Sequence, residues 1–87
     1  MTINQRQQLL EKIRVLEADL TRSRQAIHAF EGLLFSYSQL ADQQAGFRLI
    51  IDTTDQLVAE RQQYETITTQ YEEILDELGR LTSQGDQ

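Results

Sequence analysis

Few side chains in this sequence are of the kinds that do chemistry. There is one His and no Cys. A thiolate nucleophile, a disulfide framework and a multi-histidine zinc site are excluded at once. His28 would need an orienting carboxylate and a pocket to act as a general base. Glu72, Glu73, Asp76 and Glu77 form i, i+4 carboxylate pairs, and hard cations take carboxylates. No Asp-rich loop with a central Gly accompanies them, so a solvated helix face beside Lys12 and Arg14 is the better reading. Arg22 and Arg24 lack interleaved aromatics, and we read them as partners of Glu65. The four glycines make neither a GxGxxG fingerprint nor a P-loop. We therefore expect no catalytic, cofactor-binding or metal-binding residues, and no enzyme.

The elements that carry these residues follow from composition and spacing. Pro is absent and Gly numbers four in 87 residues, which favours helix over a turn-rich β fold. Leu9, Ile13, Leu16, Leu20, Ser23, Ile27, Phe30, Leu34, Tyr37 and Ala41 are spaced alternately by four and three. This is the a/d seam of a coiled coil, with Ser23 its one polar member. Thr2 and Gln5 suit a capping box, so the helix should begin near residue 3. A second seam runs Ile50, Thr53, Leu57, Glu60, Tyr64, Ile67, Tyr71, Ile74, Leu78, Leu81. Ala41 and Ile50 are out of phase, and the segment between them is polar and ends in Gly46, a suitable left-handed cap.

The sequence thus predicts an all-α fold, a long antiparallel two-helix hairpin that dimerises into a four-helix bundle. One domain spans 1–82, as helix 3–41, loop 42–46 and helix 47–82, with 83–87 a disordered tail. An alternative folds residues 33–52 into a β-hairpin tip, because Leu33–Ser38 and Phe47–Ile51 have strand-like composition. Facing residues whose numbers sum to 87 bring every a position opposite a d position. That register sets Ser23 against Tyr64 and Ile27 against Glu60. Glu60 is expected to swing out to solvent, the alternative being a buried polar residue that specifies register. Tyr64 and Tyr71 are expected to bury their rings and send their hydroxyls outward.

Residues 1–31 carry five Arg/Lys and four Asp/Glu, and residues 53–87 carry two Arg and eight Asp/Glu. Opposite charge supports the antiparallel pairing. The net charge of −6 argues against binding nucleic acid. No apolar run suggests a signal peptide or a membrane span, so a cytoplasmic protein is expected.

The surplus lies near the tip, where Leu33, Phe35, Leu40, Phe47, Leu49, Ile51 and Val58 stand outside the seam. One partner helix cannot cover them. They are the expected protein interface, for another protein, a second copy, or both. The function this implies is a non-enzymatic interaction module: an adaptor, an assembly factor or a small secretion-type chaperone with an apolar groove. Size, charge and architecture are broadly similar to small acidic helical-hairpin chaperones, with no shared motif. The alternative is an acidic DNA mimic that inhibits a nucleic-acid-binding protein.

Overall fold

The computed structural model describes residues 3–40 and 44–85, which form two helices, α1 (Ile3–Ser38) and α2 (Gln44–Gly85), and the start of the turn between them. No interior Pro interrupts either. Mid-helix threonines satisfy their hydroxyls locally: those of Thr54, Thr66 and Thr69 each donate to the carbonyl four residues back. The helices pack side by side into a rod 66 Å long and 14 × 13 Å across. Among the described residues there is no strand, so the β-hairpin tip is excluded: Leu33–Tyr37 and Phe47–Ile51 are helical. Helix propensity and the unbroken heptad override their β-branched and aromatic composition.

Both seams sit where the heptad puts them. Every described seam residue is buried or half-buried. Outside the seams, among residues with described side chains, only Asp19, Ala26, Gly46 and Thr68 are buried or half-buried. Leu9, Ile13, Leu57 and Ile67 form the apolar core, joined by the buried polar residues Ser23 and Thr53. The cross-helix pairs Ser23–Glu60, Arg24–Tyr64, Glu17–Tyr71 and Glu31–Arg61 fall on both sides of the expected sum of 87. Their scatter is the reach of long side chains around one antiparallel register.

The turn differs from expectation. α1 ends at Ser38, and Gln39 and Leu40 donate their amides to the carbonyls of Ser36 and Tyr37, tightening the last turn. α2 begins at Gln44, inside the expected loop. Gly46 is therefore helical and buried, and no described Gly has a positive φ. Its role is steric: a Cβ there would overlap the Leu40 carbonyl oxygen. At the far end α2 runs to Gly85, so residues 83–85 extend the helix rather than begin a tail. The capping Thr2, the seam position Ala41, the loop residues Asp42 and Gln43, and the last two tail residues lie outside the described residues.

Candidate functional site

In an antiparallel pair, the e positions of both helices line one flank of the seam and the g positions line the other. The two flanks of this hairpin are unlike, and side chains decide which is closed.

The e flank is tied by polar links. The Tyr71 hydroxyl donates to Glu17 Oε1 at 3.2 Å. Arg24 Nη2 donates to the Tyr64 hydroxyl at 3.2 Å. Arg61 pairs with Glu31 at 3.6 Å. Both tyrosines thus keep their rings half-buried and their hydroxyls outward, as their seam positions required. Partial burial pushes the Tyr71 hydroxyl up from its ordinary value, and its bond to Glu17 pushes the same way. The bond to Tyr64 likewise raises Arg24, fixing its positive charge.

The g flank is open. Three hollows lie along it. One of about 760 Å³ occupies the middle, between Ala26 and Phe30 on α1 and Gln56, Ala59 and Gln63 on α2. One of about 550 Å³ lies nearer the termini and is lined by Val15, Leu16 and Ile74 with Lys12 and Glu73. A third, of about 230 Å³, sits between Leu9, Lys12, Glu77 and Leu81. Small residues, Ala26 and Ala59, border the middle hollow, whereas long charged side chains edge the other two.

Glu60 corrects the expectation that it faces solvent. It is half-buried, and the hydroxyl of the buried Ser23 donates to its Oε1 at 2.7 Å. The polar partner of Ser23 is therefore Glu60. The carboxylate at this seam position is thus met by a hydroxyl from the facing helix, and it borders the open middle hollow.

The other expected charge pairings rearrange. Arg22 pairs with Asp19 on its own helix at 3.5 Å, not with Glu65. Among the described residues, neither Lys12 nor Arg14 has an ion pair with Glu72, Glu73, Asp76 or Glu77, although Lys12 shares hollows with Glu73 and Glu77. His28 lies 3.7 Å from Glu31 with its side chain 74% exposed, an ion pair only when protonated. It lines none of the three hollows. No group of three or more His, Asp or Glu among the described residues is arranged to hold a metal ion.

All seven expected interface residues are exposed, from Leu49 at 39% to Phe35 at 70%. They do not share one groove. Phe35, Phe47, Ile51 and Val58 occupy b and e positions and lie toward the e flank. Leu33 and Leu49 occupy g positions on the opposite flank. Leu40 lies in the turn. Counting heptad positions of the non-seam residues would have separated the two sets. Compared with known protein families, curated proteins and solved structures, the chain matches none. Among the described residues no helix is long and apolar enough to cross a membrane.

Proposed function

We propose that the hairpin is a non-enzymatic, cytoplasmic protein-interaction module that takes a partner protein on the b/e face of its tip. One observation supports this reading. Phe35, Phe47 and Ile51 are 70%, 57% and 60% exposed on one face at one end of the rod. Burying each such side chain against a partner is worth about 1.5–3 kcal/mol, and aromatic anchors of this kind dominate protein interfaces. The polar links of the e flank lie beside this face and present a rim of Glu31, Arg61 and His28. A chaperone, adaptor or assembly role would use the surface in the same way, by covering an apolar helix of the partner.

The test is capture of a partner by the full chain, compared with Phe35→Ser/Phe47→Ser and with Glu72, Glu73, Asp76 and Glu77 changed to Gln. Loss in the first variant and retention in the second, with little dependence on salt, supports the tip. A second reading has its own observation: those four carboxylates are exposed and have no ion pair among the described residues. An acidic mimic of nucleic acid would lose its partner in the Gln variant and weaken steeply with salt.

A further inference from the structure

We infer that the open g flank is the seat of a second copy of this chain, packed with the two tips at the same end so that α1 of each copy lies on α2 of the other. This surface is separate from the aromatic tip face, and the inference stands whether or not that face takes a partner.

Area is the first argument. A folded single chain of this mass exposes about 5,300 Å², whereas the hairpin exposes 6731 Å². The excess is about 1,400 Å², and a stable dimer buries roughly 800 Å² on each partner. No described side chain is fully buried. Two helices have only one seam between them, and a second layer supplies what is missing.

Shape selects the flank. The e flank is blocked by Arg24, Glu31 and Arg61. The g flank has Ala26 and Ala59 beside its middle hollow and uncharged Gln56 and Gln63 along it. Its charged members there, Asp19 with Arg22 and Glu60 with Ser23, are already partnered within the chain. They form no bridge across the flank between long side chains, so another helix pair can approach closely. Leu33 and Leu49 stand at g positions of its tip end, 41% and 39% exposed.

Charge selects the orientation. The described α1 carries five basic and four acidic residues, and α2 three basic and eight acidic. Two-fold packing with tips opposed would lay α2 on α2, acid against acid. Packing with tips together lays α1 on α2 of the other copy. Lys12 then meets the partner copy's acidic stretch around positions 73 and 77, and the tip leucines of the two copies meet one another. The arrangement is isologous and closed.

A charge swap isolates the contact between chains. A Lys12→Glu chain is mixed at low salt with a Glu73→Lys/Glu77→Lys chain, and dimers are counted by native mass spectrometry. Within each chain the mismatch is the same in homodimer and heterodimer, so only contacts between copies can bias the mixture. Heterodimers well above the statistical half are expected, and a statistical mixture overturns the orientation. Sedimentation of the unmodified chain should show a dimer at tens of micromolar, and a monomer there overturns the inference outright. Leu33→Glu/Leu49→Glu should weaken the dimer by at least about tenfold, with helix content by circular dichroism retained, while Phe35→Ser/Phe47→Ser should leave it intact. The reverse pattern places the interface on the other flank and overturns the assignment. Spin labels on Ser38→Cys, in a chain otherwise free of Cys, should lie roughly 20 Å apart, about two interhelical spacings. A separation approaching the 66 Å length of the rod means opposed tips and also overturns it.

Discussion

Replacing Ser23 with Ala tests the polar contact at the middle of the seam. Ser23 is 3% exposed, and its hydroxyl donates to Glu60 Oε1 at 2.7 Å. A hydrogen bond to a charged group contributes about 1.5–3 kcal/mol when the acceptor cannot find another donor. Glu60 can, because it borders the open middle hollow and water can replace the hydroxyl. The expected cost of Ser23→Ala therefore falls below that range, at about 1 kcal/mol, or roughly 4–8 °C in Tm for a domain of this size. Glu60→Leu places an apolar side chain at a seam position opposite Ile27, and the Ser23 hydroxyl turns back to a carbonyl of its own helix, as the threonines do. The double variant removes both polar partners and should be at least as stable as the parent, since apolar replacement of a whole polar pair is neutral or favourable. Urea unfolding of the four proteins completes a double-mutant cycle. A coupling energy of about 1 kcal/mol is expected, and one inside the additivity error of about 0.3–0.5 kcal/mol would refute the assigned contact.

Three further outcomes follow from other contacts. Tyr71 has its hydroxyl held above the ordinary 10.0 in the folded chain, so its contribution is complete at neutral pH and is lost as pH rises through the folded value. Tyr71→Phe should flatten the alkaline fall in the urea midpoint, and an unchanged fall would show that other groups cause it. Gly46→Ala should destabilise by about 1–3 kcal/mol because the new Cβ meets backbone at Leu40, whereas Gly32→Ala, in open space, should stabilise by about 0.5–1 kcal/mol; thermal melts of both would expose an error if the signs agreed. Leu57→Ala should cost about 2–5 kcal/mol and Val58→Ala less than about 0.5, since the first is 8% and the second 50% exposed; equal costs in denaturant titrations would mean that the seam is misplaced.

The seam was legible because it is repetitive. Each a or d position votes for the same face, and one polar member such as Ser23 does not outvote nine others. The antiparallel register was legible for a related reason: the register that brings a and d positions into shared layers with residue sums of 87 folds the chain back between 43 and 44, inside the polar segment. The turn was not. Gly46 reads as a left-handed cap when taken with its neighbours in sequence, and its actual role depends on the Leu40 carbonyl approaching from across the turn. The charge partners were obscured by side-chain reach. Arg24 was expected near Glu65 but bonds the Tyr64 hydroxyl, and Arg22 satisfies itself on Asp19 within its own helix. Glu60 faces Ile27 in its own layer, where nothing bonds it; the hydroxyl that holds it belongs to a residue one helical turn away. The split of the apolar surplus between two flanks follows from heptad arithmetic. It was missed by treating all residues outside the seam as one surface.

A single fold-back with one register also fixes the order in which the chain can assemble. Residues facing each other near the tip are separated by a short stretch of chain, and those at the open end by almost all of it. Closing the short loop first makes each later layer an incremental step, and the entropy of joining distant segments never falls on one event. Such a topology belongs to the fast-folding class, with opening that starts at the free ends and travels inward. Leu9 and Ile13, among the most buried side chains, sit at that far end. They are the last to gain partners and the ones whose burial holds the two ends of the rod together.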